Sequence, residues 1–321
     1  MARRAIKIPS AVRTAVQESL QLIEKTRPGR DAAPETLNPD PLPSLLEQCG
    51  RLAGIGEEPA VEPIRTIHHF ACTGGTLIAK CLACSPNVHV LSEVDPLSTM
   101  TSAGSKFTPA DLMRLAQFSN RAPSQEEKIE LFLSGLSSLY RSNLGKGLRL
   151  LLRDHAHSHF CVGPEVPQRP SLADLLRREY PVRSIVTVRH PIDSYLALVN
   201  NKWLHFEPAD VDEYAKRYEA FLDCYAESPI FRYEAFIENP NEIVQEMCTE
   251  LDLPFPDGFG DLFMVHAFSG DSGRKGNEIR ERPRRAIPEE VGEAISQSNS
   301  MRRLCKRLDY EGELDSVQSR A

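Results

Sequence analysis

The sequence predicts an α/β protein in which a mostly parallel sheet of about five strands lies between two layers of helices. Short segments rich in β-branched and other apolar residues alternate along the chain with segments of helical periodicity. This alternation favours right-handed crossovers and helices on both faces of the sheet, a three-layer α/β/α arrangement. Glycine, histidine or arginine follows several predicted strands, and ligands of such sheets bind beyond the carboxyl ends of the strands.

Residues 1–60 are predicted to be an extension outside this domain. Helical periodicity at 11–25 and 45–52 is separated by a proline-rich segment, which interrupts regular structure. The α/β domain is expected at 61–310, and the polar residues 311–321 are expected to form a tail.

The first strand is predicted at 64–70, and a small turn containing glycine follows it. Gly74 and Gly75 allow the backbone to approach a ligand closely, and the start of the next helix favours an anion. This pattern indicates a phosphate-binding turn, although it does not match the G-x-x-x-x-G-K-[ST] loop of nucleotide triphosphatases. A tight turn that binds nothing is the alternative, and this stretch alone does not decide between the two.

Four further strands are predicted at 88–91, 147–153, 182–188 and 229–232. The segment 147–153 is apolar on both faces in its middle, as buried parallel strands are. Helices are predicted at 76–84, from 108 onward, and at 124–140, 171–179, 192–203, 211–225, 238–251 and 288–308. A capping box of Ser124 with Glu127 and a proline in the first turn, Pro288, set two of their starts.

Two functional side chains follow predicted strands. His155 comes after strand 147–153 and Arg189 after strand 182–188, so both are expected at the same sheet edge as the glycine turn. Arg189 offers a planar fork of donors for a phosphate. His155 is suited to accept a proton near neutral pH.

Four segments together resemble the sulfotransferases that use 3′-phosphoadenosine 5′-phosphosulfate (PAPS). They are 71–77, 184–196, 231–240 with 251–255, and 272–276, in the order of that family. The resemblance covers about residues 64–288 and implies a fold similar to the P-loop nucleotide-binding proteins. It also implies a transferase that moves a sulfuryl group from PAPS, without a metal, to a hydroxyl or amine of a small-molecule or carbohydrate acceptor.

The resemblance assigns roles to individual residues. His155 would be the general base. The 5′-phosphosulfate would be held by Cys72, Thr73, Gly74, Gly75, Thr76 and Leu77, and the rest of the donor by Arg189, Ser194, Arg274, Lys275 and Gly276. The family more often has its serine eight positions after the arginine, where this chain has Ala197.

The clearest departure from the family is Cys72, where a lysine or arginine is usual. A cysteine cannot stabilise the bridging oxygen of the donor as a cation does. Arg153 is the favoured replacement and Lys80 the next, with His68 or His69 as a third possibility. A protein that binds nucleotide without fast transfer is the fourth.

Composition argues against several other classes of protein. A net charge of −7 argues against nucleic-acid binding as the main function. With no long apolar run and no secretory signal, a cytoplasmic protein without a membrane span is expected. The eight cysteines are expected to be reduced thiols, including Cys81 and Cys84. A metal site at His155, His157 and His159 is less favoured than a metal-free site.

Two other functions remain open at this point. A P-loop kinase of a small metabolite would need a lysine in the turn and an acidic magnesium ligand after a strand, for which Asp154 is the one candidate in reach. A non-catalytic nucleotide-binding protein of the same fold would explain Cys72 and Ala197. The sequence does not indicate the oligomeric state.

Overall fold

The structure is a computed structural model that describes residues 21, 61–100, 109–269, 278–281 and 284–310. The chain divides into two compact units, Met1–Pro59 and Ala60–Ala321, and the fold below is that of the described part of the second. The predicted extension, apart from residue 21, and the predicted tail lie outside the described residues.

Five parallel strands form the central sheet. They are β1 Ile64–His69, β2 Val88–Val94, β3 Arg149–Asp154, β5 Val182–Val188 and β7 Ile230–Arg232. Their order is β2-β3-β1-β5-β7, with Thr66 of the central strand opposite Leu152 and Ser184. A separate pair of short parallel strands consists of β4 Val162–Gly163 and β6 His205–Phe206. The predicted mostly parallel sheet of about five strands is confirmed.

Helices connect these strands. They are α1 Gly75–Leu82, α2 Leu112–Gln117, α3 Gln125–Leu144, α4 Ala156–Phe160, α5 Leu172–Leu176, α6 Pro191–Asn201, α7 Val211–Cys224, α8 Tyr233–Glu238, α9 Pro240–Glu250, α10 Phe259–Leu262, α11 Glu289–Gln297 and α12 Asn299–Arg307. A 3₁₀ turn, Phe263–Val265, follows α10. None of the helices in the described ranges has the length and apolar character that a membrane crossing requires.

Both faces of the sheet are covered by helices. Successive side chains of a strand point to opposite faces. On one face Ile67, Leu151 and Ile185 pack against α1 and α9. On the other, Ile64 packs with α3 and α5, and Val186 packs with α7 and α12. The core therefore has two halves, one on each side of the sheet, and the fold is a three-layer α/β/α arrangement.

Three predicted elements differ from the structure. The helix predicted at 288–308 is divided at Ser298, whose extended backbone (ψ 113°) and hydroxyl, accepting from the N–H of Met301 at 3.0 Å, start α12. The helix predicted at 238–251 is preceded by α8, and Asn239 separates α8 from α9. Residues 154–159, predicted as a loop, contain most of α4.

Arg217 on α7 fastens the β4–β6 pair to the domain. Its side chain is 1% exposed. Nη2 donates to the carbonyl oxygens of Gly163 and Pro164, both at 2.9 Å, and Nη1 donates to that of Phe160 at 3.1 Å. The guanidinium also lies 4.9 Å from the centroid of the Phe206 ring. One buried cation thus satisfies the backbone of β4 and supports β6.

Replacing Arg217 with methionine should destabilise the protein strongly. The substitution leaves buried carbonyl groups without donors, so we expect the free energy of unfolding to fall by about 3 kcal/mol in urea denaturation. Arg178→Met is the matched control, because Arg178 makes an ion pair with Glu126 (2.6 Å) that is exposed on both sides. The control should lose less than about 1 kcal/mol, and an equal loss in both variants would contradict the role of Arg217.

Candidate active site

A cavity of about 1100 Å³ lies at the edge of the sheet where β1, β3, β5 and β7 end. The predicted site residues that line it are His155, Arg153, Lys80, Cys72, Thr73, Gly74, Gly75, Thr76, Leu77 and Arg189. The structure therefore brings together groups that are more than a hundred positions apart in the sequence. The volume is slightly above the usual range for ligand pockets of about 300–1,000 Å³, which leaves room for two reactants.

The turn after β1 opens the start of α1 to this cavity. Gly74 is the N-cap residue of α1, has φ of +89°, and carries no side chain that could cap the first N–H groups. A Cβ at Gly74 would overlap the ring of Tyr233, and one at Gly75 would overlap the ring of His69. Both positions therefore require glycine, and the resulting helix start favours an anion.

Arg189 reaches the same turn from the end of β5. Its guanidinium lies 5.1 Å from the centroid of the Tyr233 ring, the ring that packs on Gly74. Its buried Nε has no hydrogen-bond partner among the described residues. A buried guanidinium nitrogen beside a cavity and without a protein partner is well suited to a phosphate oxygen.

Cys72 occupies the turn in a left-handed conformation, with φ of +63°. Its Sγ accepts a long hydrogen bond from Asn201 Nδ2, at 3.8 Å. Burial raises the pKa of the thiol to about 11, while Asn201, Arg189 and Arg285 act in the opposite direction. The thiol is therefore protonated at neutral pH, and positive charge near this position comes from the two arginines.

A line of polar contacts joins Arg153, Glu93 and His155. Arg153 Nη2 donates to Glu93 Oε1, and Glu93 Oε2 lies 3.2 Å from His155 Nε2. Glu93 has φ of +63° and lies where the pairing of β2 with β3 shifts register, between Ser92 and Val94. This irregularity places a carboxylate beside the imidazole that was predicted as the general base.

The remaining donors of Arg153 are also held by the protein. Nε donates to Ser92 Oγ and Nη1 to His69 Nε2, each at 2.9 Å, and Nη2 donates to the carbonyl of Ser269 at 2.9 Å. Burial and then Arg153 lower the pKa of His69 well below its usual value, so the neutral ring accepts this bond. Arg153 lines the cavity, but its contacts orient neighbouring residues. Lys80, 5% exposed on α1, lines the cavity as well.

The side chains of His155, His157 and His159, which follow β3, point to different parts of the structure. His157 Nε2 lies 3.1 Å from His205 Nδ1 at the cavity wall. Burial, with His155 and His205, lowers the pKa of His157 to about 3. His159 Nε2 donates instead to the carbonyl of Pro167, at 3.2 Å, because α4 rotates alternate residues to different sides. Nowhere in the described ranges do three or more His, Cys, Asp or Glu residues form a group that could hold a metal ion.

Ser194 does not reach the cavity. It is fully buried, and its Oγ donates to the carbonyl of His190 at 3.2 Å, one turn earlier in the helix. The α6 residues that line the cavity are Asp193, Ala197 and Asn201. Ala197 thus faces the cavity, at the position where the resembled family more often has serine. The other predicted donor-binding residues, Arg274, Lys275 and Gly276, lie outside the described residues.

Arginines that sequence reasoning missed enter the cavity from the segment before α11. Arg284 Nε lies 3.5 Å from Asp193 Oδ2, and Arg285 Nη1 donates to the carbonyl of Leu196 at 3.5 Å. Burial, Arg284 and Arg189 lower the pKa of His190 to about 3. In the sequence, the one sign of these residues was that two arginines stand next to each other shortly before the helix predicted from residue 288.

A family model described as the sulfotransferase family matches residues 70–257, more than half of the chain. The chain belongs to the sulfotransferase family. Membership supports a role in sulfuryl transfer, and the matched residues include Gly74, Glu93, His155 and Arg189.

Known proteins give two further results. Among solved structures, the sulfotransferase domain of the Synechococcus PCC 7002 olefin synthase is similar, with 13% identity, 79% of this chain and 97% of that chain covered, and a TM-score of 0.46. No curated protein matches the sequence.

Glu93 is the cavity residue that sequence reasoning most clearly missed. The second strand was predicted to end at residue 91, whereas β2 continues to Val94. The rule that found His155 and Arg189, a polar side chain at a strand end, applies equally to Glu93. It also applies to Glu234 after β7, which accepts from the backbone N–H of His190 at 3.0 Å.

The sulfotransferase should lose stability on mild acidification. Burial is the first cause of a lowered pKa at His69, His157, His159 and His190. Below the usual histidine value of about 6.5, the unfolded chain binds protons that the folded chain excludes. The free energy of unfolding should therefore fall as pH is lowered from about 6.5 to about 4, which a series of Tm measurements will show.

His190→Asn provides a control for this pH dependence. Asparagine keeps a side-chain acceptor for the N–H of Ile192 at the start of α6. His190 is 1% exposed, and the folded protein excludes its proton. Removing this histidine should therefore reduce the dependence of the free energy of unfolding on pH by about 1.4 kcal/mol per pH unit. A wild-type Tm that stays constant or rises on acidification would contradict the assignment.

Proposed function

We propose that this protein transfers the sulfuryl group of PAPS to a hydroxyl group or an amine of an acceptor. The observation that carries the proposal is a single cavity that joins the uncapped start of α1, the guanidinium of Arg189 and the His155–Glu93 pair. Sulfuryl transfer needs an anion-binding cradle for the donor, a base beside the acceptor, and an in-line arrangement of the two. The uncapped start of α1 with Arg189 supports the anion-binding role, and the His155–Glu93 pair supports the role of the base.

The turn after β1 and the start of α1 are suited to the 5′-phosphosulfate. The N–H groups of Gly75 and Thr76 begin α1, where the helix dipole stabilises negative charge, and Lys80 follows about one turn later. Arg189 and Arg285 supply guanidinium donors suited to the 3′-phosphate. The unpartnered Nε of Arg189 supports this assignment.

The proposed role of His155 is to accept the proton of the acceptor. Its Nε2 is engaged by Glu93, which leaves Nδ1 to take the proton as the acceptor oxygen forms its bond to sulfur. The bond between sulfur and the bridging oxygen breaks at the same time, and adenosine 3′,5′-bisphosphate departs with the negative charge. Glu93 stabilises the resulting imidazolium, and the start of α1 with Lys80 stabilises the departing phosphate.

A kinase of a small metabolite has less support. Kinases of this fold need an acidic magnesium ligand near the phosphates. The carboxylate of Asp154 is only 5% exposed, and its Oδ2 accepts from the Tyr225 hydroxyl at 2.7 Å and from His68 Nδ1 at 2.9 Å. It is therefore committed inside the domain. A protein that binds nucleotide without transfer is the alternative that Cys72 favours, and a transfer assay distinguishes it.

Adenosine 3′,5′-bisphosphate should raise the Tm of the protein. At 100 times its Kd, a ligand that binds only the folded state stabilises it by about 2.7 kcal/mol. Arg189→Ala should lose most of this shift, whereas Arg178→Ala, at an arginine paired with exposed Glu126, should retain it. The absence of a shift in the wild type would overturn PAPS as the donor, and a magnesium-dependent shift with ATP instead would support the kinase.

His155→Ala should abolish most of the transfer while leaving donor binding intact. General base catalysis contributes about 10²–10⁴-fold, so incorporation of radiolabelled sulfate from PAPS into acceptors of a cell extract should fall by that factor. His89→Ala is the matched control, because His89 lies on β2 and its Nδ1 bonds Asn143 at 3.1 Å outside the cavity. A rate in His155→Ala equal to that of the wild type would remove His155 from the mechanism.

A further inference from the structure

The rings beside His155 narrow the class of acceptor. We propose that the acceptor is an uncharged, planar aromatic alcohol held against a wall formed by His157, Trp203 and His205. This inference rests on the proposed sulfuryl transfer and concerns the part of the same cavity that adjoins the base.

Three aromatic side chains border the space next to His155. The ring of His157 is nearly parallel to that of His155, at 15°, with centroids 6.1 Å apart. Trp203 meets His157 edge-on, at 84° and 6.1 Å, and His205 meets it at 71° and 5.3 Å. All of these side chains line the cavity. Rings in two orientations offer both stacking and edge contacts to a flat guest.

The wall has a rigid support. His205 lies in β6 opposite Val162 of β4, and the Arg217 contacts described above hold β4 in place. The backbone N–H of Trp203 donates to the carbonyl of Leu198 at 3.0 Å, which fixes the main chain just after α6, and the Trp203 side chain packs against the core. A pre-organised wall loses little conformational entropy on binding and selects its guest by shape.

Charge is distributed unevenly around the cavity. Next to His155, the charges of Glu93 and Arg153 are paired with each other. At the glycine turn, Arg189 contacts the ring of Tyr233 and Arg285 contacts a backbone carbonyl, so neither is paired with a carboxylate in these contacts. An anionic acceptor would gain its charge contacts at the donor end of the cavity and would compete there with PAPS. The ring-lined end suits an uncharged guest.

The acidity of an aromatic alcohol also matches the base. A phenolic hydroxyl has a pKa of about 10. A hydroxyl that is not attached to an aromatic ring is far less acidic, as water with its pKa of about 15.7 illustrates. Transfer of a phenolic proton to an imidazole is therefore less unfavourable than transfer from an aliphatic alcohol. Shape, charge and acidity thus point to the same chemical class.

Equilibrium binding to the full chain, with adenosine 3′,5′-bisphosphate present, tests the proposal. The probes are 2-naphthol, its saturated counterpart decahydro-2-naphthol, and its carboxylated counterpart 6-hydroxy-2-naphthoate. We expect 2-naphthol to bind at least about tenfold more tightly than either of the others, as ring stacking of this kind allows. Trp203→Ala should weaken 2-naphthol about tenfold or more, Trp203→Phe should retain most of the affinity, and bisphosphate binding should be unchanged in both.

Because Trp203 also packs against the core, its substitution could disturb the fold. Binding of 2-naphthol is therefore also measured in His205→Ala, which changes an exposed ring of the wall, with His89→Ala as the control. His205→Ala should weaken 2-naphthol, and the control should not. Equal or tighter binding of the saturated or carboxylated probe would overturn the aromatic acceptor, even where bisphosphate binds and sulfate is transferred. Binding of 2-naphthol that depends on Trp203, without any bisphosphate binding, would overturn the proposed donor and leave the aromatic subsite standing.

Discussion

One buried cation, Arg153, determines the geometry of the site. Its guanidinium contacts the ends of the two strands that flank its own strand β3, through Glu93 on β2 and His69 on β1. His69 lies under Gly75, and Glu93 lies beside His155. The glycine turn and the His155–Glu93 pair are therefore positioned by the same side chain. Breaking a buried ion pair of this kind typically costs about 3–5 kcal/mol, because the partner charge is left uncompensated.

The cavity contains both signs of charge, and the pairing between them decides its net field. Glu93 is paired with Arg153, and Asp193 with Arg284. Arg189 contacts a tyrosine ring, and Arg285 contacts a backbone carbonyl, so neither positive charge is cancelled by a carboxylate among these contacts. Both of these arginines act on the Cys72 thiol, where they favour negative charge. This explains how a turn without a lysine or arginine of its own still presents an environment suited to an anion.

The parts of the site that follow regular strands were predictable, and the parts that depend on irregular backbone were not. The glycine turn, His155 and Arg189 follow strands whose apolar pattern is clear, so the parallel sheet places them together. Glu93 also follows a predicted strand, but its position beside His155 depends on a register shift within β2, which leaves no mark on the apolar pattern. Ser194 was assigned a role from the family resemblance and its place in the first turn of the predicted helix, and the phase of α6 turns it into the core. Arg284 and Arg285 come from a segment without periodicity.

The contact between Gly74 and Tyr233 joins residues that are separated by most of the domain. The turn after β1 is closed on one side by a ring from α8, which follows β7, the last strand of the sheet in chain order. During synthesis, the glycine turn emerges from the ribosome long before that ring does. The chain therefore completes the wall around this turn only after β7 has docked, so an interrupted polypeptide that ends before β7 keeps the glycine sequence but lacks the ring that closes one side of the turn.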